Sequence, residues 1–301
     1  MNRLHAAVSL AVAALLSLHA NAQTPPIGAE VLANAPADAW RSPDPARTVY
    51  LDLPAGRVVI ELASDFAPAH AANISTLAHN GYWDGLSILR AQDNYVVQWG
   101  DANAGTAQAR PLAPARGKLP AEFDRSAAGQ PFTALSDGDI YAPQVGWSDG
   151  FPVGRDPASG RIWLAHCYGM VGAGRDAAAD SSNGAELYAV IGHAPRHLDR
   201  NIAVVGRVVQ GIEWLSALPR GSASMGFYAE PEQRIALHSI RLAADLPAAE
   251  RVDLDILRTD TKTWNTWVES RRNRQESWFK RAAGFADLCN IPVPVRAHPA
   301  R

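Results

Sequence analysis

From residue 48 to residue 242 the chain is a succession of short β-rich runs, each closed by glycine, proline or asparagine, and this punctuation constrains the fold more than any other feature. Residues 49–53 and 58–62 flank Pro54-Ala55-Gly56, a hairpin signal. Further runs read as strands at 87–89, 95–99, 163–171, 186–191, 203–208 and 235–242. Only two stretches among them carry a helical period. One opens at Asp65, with Pro68 in its first turn and Ala71, Ile74, Leu77 and Ala78 at helical spacing, and ends at Asn80-Gly81. The other spans 211–218. Many short strands with so few helices favour a mainly β fold, a closed eight-stranded antiparallel β-barrel capped by two helices, over an α/β sheet.

The rest of the 301 residues reads as appendages to that domain, which is assigned to 46–245. Arg3, an apolar stretch over 6–18 and Ala20-Asn21-Ala22 form a secretory signal over 1–22, with an uncleaved anchor as the alternative. The stretch is shorter than the ~20 residues a spanning helix needs, so the mature chain is expected to have no membrane span and to be periplasmic or secreted. Residues 23–45 are rich in alanine and proline and read as an extended lead-in. A Gly, Asp and Pro-rich insertion over about 125–161, with Tyr141, Trp147 and Phe151, is either a functional flap or a decorated loop. Residues 246–301 form a C-terminal extension, where Trp264, Trp267, Val268, Arg271, Gln275 and Trp278 fall at helical spacing. That helix either docks on the core or presents a partner face. Cys167 and Cys289 are either bridged after export or two buried thiols, and no CxxC motif is present.

A formal net charge of -2 gives no global field for nucleic acid, an anionic membrane surface or acidic substrates. The chemistry is concentrated between Leu89 and Asp101. There one cation, Arg90, precedes the mostly uncharged run Tyr95, Val96, Val97, Gln98, Trp99 and Gly100. In an extended segment Val96 and Gln98 share one face while Tyr95 and Val97 take the other. A guanidinium has fixed donors and stays charged at ordinary pH, so beside an apolar wall it suits a neutral, ring-shaped substrate. Taken alone, Arg90 would read as a surface ion pair. Other chemistries lack their patterns. His193 and His197 have Pro195 between them and no third metal ligand nearby, Gly172-Ala173-Gly174 is no phosphate cradle, and no G-x-S-x-G elbow occurs. The tryptophans are scattered along the chain rather than set to line one carbohydrate groove.

The order of hairpin, proline-opened helix, Arg90 with Tyr95, Val96 and Gln98, then Gly100-Asp101, resembles the cyclophilin family of peptidyl-prolyl isomerases. Glu122-Phe123 resembles the family's acidic-Phe step, and 169–174 the strand entering its next loop. Asn183-Gly184-Ala185-Glu186-Leu187-Tyr188 resembles its Asn-Gly-Ser-Gln-Phe-Phe motif. Leu198-Asp199 and Val204-Val205-Gly206-Arg207-Val208 with Gly211 follow in family order, so the resemblance covers 48–242.

That resemblance implies a cofactor-free isomerase with Arg90 as its catalytic arginine. Tyr95 and Val96 match the proline-pocket Phe and Met positions, and Gln98 the glutamine that orients the arginine. Tyr188 falls on a second pocket aromatic and Leu198 on the pocket leucine. Departures are equally specific. Glu186 stands where the family has Gln, Arg175 lies near the loop Asn whose backbone receives substrate, His197 replaces a Trp, and Ile202 replaces the pocket histidine. The lost Trp predicts weak cyclosporin binding. The expected partners are proline-containing segments of folding exported proteins, handled by a monomer. The non-enzymatic alternative is a cyclophilin-like chaperone module that holds such segments but turns them over poorly.

Overall fold

The computed structural model describes residues 27–298, so the signal segment assigned to 1–22 lies outside the described residues. The described part of the lead-in is not simply extended. It holds a short helix α1 (Gly28–Ala33) and a strand β1 (Trp40–Arg41). The hairpin follows as β2 (Thr48–Leu53) and β3 (Gly56–Leu62), then helix α2 (Pro68–His79), β4 (Ser87–Ala91) and β5 (Val96–Gly100). The insertion contributes β6 (Arg125–Ser126), β7 (Thr133–Leu135), β8 (Gln144–Ser148), β9 (Phe151–Asp156) and β10 (Arg161–Leu164). Next come β11 (Met170–Ala173), β12 (Leu187–Val190), β13 (Val204–Gln210), the short helix α3 (Ile212–Ser216), β14 (Ile235–Ala236) and β15 (Ser239–Leu242). The C-terminal extension supplies β16 (Leu254–Leu257), helix α4 (Lys262–Arg272) and β17 (Val295–Ala297).

The main sheet is mainly antiparallel β, as the punctuation predicts, but it is a nine-stranded open ladder, β14-β4-β5-β12-β11-β13-β3-β2-β15, not a closed eight-stranded barrel. Its curl brings the two edges onto neighbouring stretches of chain. The run expected as one strand over 235–242 is split, because Leu237 N–H donates to Leu86 at one edge and His238 N–H to Asp52 at the other. The inner face buries Leu51, Ile60, Ile74, Trp83, Val97, Trp99, Val171 and Leu187 in one apolar core, to which α2 contributes Ile74, Leu77 and Ala78.

The run expected over 163–171 is also two strands in two different sheets. It breaks at His166, whose N–H donates to the Asp199 carboxylate (2.9 Å) instead of to a ladder partner. The insertion is therefore a five-stranded sheet, β6-β10-β9-β8-β7, rather than a loop. Its buried residues Val145, Trp147, Val153 and Ile162, drawn from both faces, join a second core with Trp40 of the lead-in and Trp264, Trp267, Leu288 and Ile291 of the extension. Helix α4 thus docks on a core. It is capped by Thr261 Oγ1, which accepts from Trp264 N–H (3.2 Å), and it ends at Arg272, short of Gln275 and Trp278. Trp278 stands 80% exposed.

Lead-in and extension pair directly, since β16 lies between β1 and β17. Cys167 and Cys289 form a disulfide that fastens the extension to the turn between β10 and β11. A buried ion cluster ties the remaining pieces. Glu61 on β3 accepts from Arg207 on β13 (2.9 Å) and pairs with Arg41 on β1 (2.7 Å). Arg207 also donates to the Gly150 carbonyl of the β8–β9 turn (2.6 Å). Burial alone pushes the Glu61 carboxyl up, but Arg207 and Arg41 together hold it below the usual carboxylate range.

Candidate active site

Directly opposed residues on adjacent strands project to one side of a sheet. The ladder sets Arg90 of β4 opposite Gln98 of β5, Gln98 opposite Tyr188 of β12, and Tyr188 opposite Gly172 of β11. These four positions form a row across the outer face, away from the core that Val97, Trp99 and Leu187 fill from the other side. Val96 and Val190, opposed two residues along, lie on the same outer face and pack with Tyr188. Tyr95 and Ile202 pack against this small apolar cluster.

Strand alternation would send Tyr95 to the opposite side from Val96, and the structure corrects this. Tyr95 precedes the strand, in a turn where Asn94 has φ 50° and its side-chain oxygen accepts from His193 N–H (2.7 Å). The turn rotates Tyr95 onto the pocket side. There its ring stacks on His197, with centroids 6.5 Å apart and planes 6° from parallel. The apolar cluster and Arg90 thus lie side by side, with the Arg90 guanidinium 5.4 Å from the Tyr95 ring centroid.

Three of the five donors of Arg90 are committed. Nε donates to the Met225 carbonyl (2.6 Å), one terminal nitrogen donates to Gln98 Oε1 (3.0 Å), and the other to Gln92 Oε1. Phe227 lies 5.5 Å from the guanidinium carbon. Two N–H groups on the terminal nitrogens are left over for a ligand. Burial lowers the pKa of Arg90, with Tyr95 and Glu186 opposing that shift, and an arginine so placed remains charged.

Gln98 is oriented in turn by Glu186, whose Oε1 accepts from its amide nitrogen. With its carbonyl oxygen to Arg90 and its amide to Glu186, Gln98 has one possible orientation. Burial pushes the Glu186 carboxyl above its ordinary range, while the Gln98 hydrogen bond and Arg90 pull the other way.

The remaining sequence candidates divide. Arg175 does not face the pocket row with a free guanidinium. Its Nε donates to the Asn201 carbonyl (2.8 Å) and a terminal nitrogen to Asp176 and Ala177, so it pins the adjoining loop. His197 is exposed and Leu198 half-buried on the turn Arg196–Leu198. Sequence reading missed Gln92, Met225, Phe227 and His166. Gln92, two residues past Arg90, carried a local signal. Met225 and Phe227 arrive from 135 or more residues away and carried none.

Known proteins resemble this chain in both sequence and structure. Residues 48–242 match the family model described as cyclophilin type peptidyl-prolyl cis-trans isomerase/CLD. A probable peptidyl-prolyl cis-trans isomerase of Brucella suis is 27% identical over 193 residues, covering 64% of this chain and 82% of that protein. Human peptidyl-prolyl cis-trans isomerase-like 1 is 34% identical over 70 residues, 23% of this chain and 40% of the human protein. The crystal structure of cyclophilin AquaCyp293 from Hirschia baltica superposes with a TM-score of 0.69 at 25% identity, over 85% of this chain and 92% of that one. The structural likeness therefore reaches beyond the segment that the family model covers.

Proposed function

The chain belongs to the cyclophilin-type peptidyl-prolyl cis-trans isomerase family, and on that premise we propose that it isomerises X-Pro bonds of exported proteins as they fold, with Arg90 as the catalytic residue. The observation that carries this reading is the row Arg90–Gln98–Tyr188, which sets a cation with two unused donors beside an apolar cluster. Tyr95, Val96 and Tyr188 hold the ring, and His197 and Leu198 flank the chain that leaves it.

The barrier to rotation is the amide resonance, about 20 kcal/mol. As the bond twists, the proline nitrogen becomes pyramidal and regains a lone pair. A free Arg90 N–H donates to that nitrogen more strongly in the twisted state than in the planar one, and this difference is what accelerates the reaction. Gln98 and Gln92 hold the guanidinium plane so that little reorganisation is needed. No proton is transferred and no covalent intermediate forms. Export is supported by the small-x-small pattern at Ala20-Asn21-Ala22 and by the Cys167–Cys289 disulfide, which suits an oxidising compartment. Among the described residues no helix is long and apolar enough to cross a membrane.

A protease-coupled isomerisation assay on a chromogenic proline peptide tests the reading. Wild type is expected to be fast and Arg90→Ala slower by about a hundredfold or more, the usual loss for one preorganised donor. Equal, near-background rates would leave the holding, chaperone-like reading in its place.

A further inference from the structure

The floor of the pocket is tied to the inserted sheet by a line of buried polar groups. Tyr188 Oη lies 2.9 Å from Nε2 of His166, whose side chain is fully enclosed. Asp199 Oδ1 lies 2.9 Å from Nδ1 of the same imidazole and also accepts from the His166 backbone N–H. A carboxylate only accepts, so Nδ1 carries hydrogen, and with hydrogen on that nitrogen alone Nε2 is the acceptor for the Tyr188 hydroxyl. Asp199 Oδ2 accepts from Arg196 Nε (2.5 Å), and Arg196 grips Asp139 with two further donors (2.9 and 3.2 Å). Asp139 closes the line in the β7–β8 loop, where its Oδ1 also accepts from the N–H groups of Tyr141 (2.7 Å) and Ala142 (3.0 Å).

The tyrosine ring has no slack on its other side. A Cβ placed on Gly172, its neighbour on β11, would come within 2.2 Å of the Tyr188 ring and hydroxyl. The imidazole and phenol planes lie 9° from parallel with centroids 6.4 Å apart. Burial also pushes the phenol far above its usual pKa, so the hydroxyl stays a donor.

We propose that His166 is a positioning residue: it fixes the pocket floor through the Tyr188 hydroxyl, and Arg196 and Asp139 make that hold depend on the inserted sheet. This deepens the isomerase reading and rests on it for the identity of the pocket. A proline ring gripped equally in planar and twisted states is uniform binding, so loosening the floor raises KM and leaves kcat nearly unchanged.

The test measures kcat, KM and the dissociation constant of a proline peptide for wild type, His166→Ala, His166→Gln, Tyr188→Phe, Asp139→Asn and the double variant Tyr188→Phe/His166→Ala. His166→Ala and Tyr188→Phe should each raise KM about five- to tenfold, the weight of one buried hydrogen bond. The double variant should be no worse than either. His166→Gln, which can return an acceptor to the Tyr188 hydroxyl, should recover most of the loss, and Asp139→Asn should move KM in the same direction. Additive losses in the double variant, or an unchanged KM in Tyr188→Phe, would overturn the role of His166. An unchanged KM in Asp139→Asn would overturn the link to the inserted sheet. Absent turnover in wild type would count against the isomerase reading alone, since the same shifts are then read in the peptide dissociation constant. If His166→Ala does not fold, Tyr188→Phe decides.

Discussion

At the scale of single residues, the polar side chains of the candidate site hold one another in place. Glu186 fixes Gln98, and Gln98 fixes Arg90. The arrangement has a cost, because burial raises the Glu186 pKa in the folded state. The folded protein then binds that proton more tightly than the unfolded chain does. The resulting penalty is present at neutral pH and disappears as pH falls below the ordinary carboxylate value. Glu186→Gln keeps an acceptor for Gln98 and removes the buried charge. It should melt higher than wild type at pH 7, with the gap closing toward about pH 4. A lower melting temperature at pH 7 would contradict this. Val96 and Gln98 were legible as one face because the two-residue period of a strand aligns alternate positions, and the observed register agrees; Arg90 and Tyr188 were reached through the family resemblance, and the ladder sets them in one row with Gln98. Tyr95 was misplaced by that same rule, which stops at the turn. His166 was invisible because its partners, Tyr188 and Asp199, lie 22 and 33 residues away.

At the scale of elements, the segment between β10 and β11 does more than connect. Over the five residues 165–169 it leaves one sheet, sets His166 against Tyr188, forms the disulfide through Cys167 and leads into the main sheet. The run over 163–171 reads as one strand because hydrophobicity reports burial, and both halves are buried. Only the Asp199 carboxylate, which captures the His166 N–H, marks the break. The insertion was misread for a related reason. Its glycines and aspartates signal turns, while the strands between them are short and their apolar side chains are buried against a lead-in and an extension that lie far away in sequence. The disulfide closes a separation of 122 residues. Cys167→Ser with Cys289→Ser should therefore lower stability by about 2–4 kcal/mol, read as a reduced urea midpoint. An unchanged midpoint would show that the extension holds without it.

At the scale of the whole molecule, two apolar cores share one outer wall, and the Glu61–Arg207–Arg41 cluster crosses it. Residues 48–242 were legible as a family pattern because their motifs follow in family order between Gly, Pro and Asn turns, although in the main sheet only β2–β3, β4–β5 and β11–β12 pair as near neighbours in sequence. The periphery was not, because it is made of pairings such as Trp40 with Leu257, more than two hundred residues apart. The ladder's open edges escaped for the same reason, since β14 and β15 read as one run. Removing one partner of a buried pair costs about 3–5 kcal/mol, so Glu61→Gln should lower the urea midpoint strongly at pH 7. Because the folded Glu61 carboxyl is held low, its stabilisation is complete above the ordinary carboxylate value and is lost as pH falls through the folded value. The difference between wild type and Glu61→Gln should accordingly shrink in acid. A difference that stays constant with pH would assign the loss to packing instead.

Arg90 is proposed to act on the twisted amide and not merely on the bound peptide. NMR exchange spectroscopy on a proline peptide with catalytic amounts of protein, titrated so that affinity and cis–trans exchange are read from the same samples, tests it most directly. Wild type should speed exchange strongly, and Arg90→Ala should bind with nearly the same dissociation constant while exchange falls by about a hundredfold or more. Exchange that survives in Arg90→Ala, or that falls only in proportion to lost binding, would contradict it.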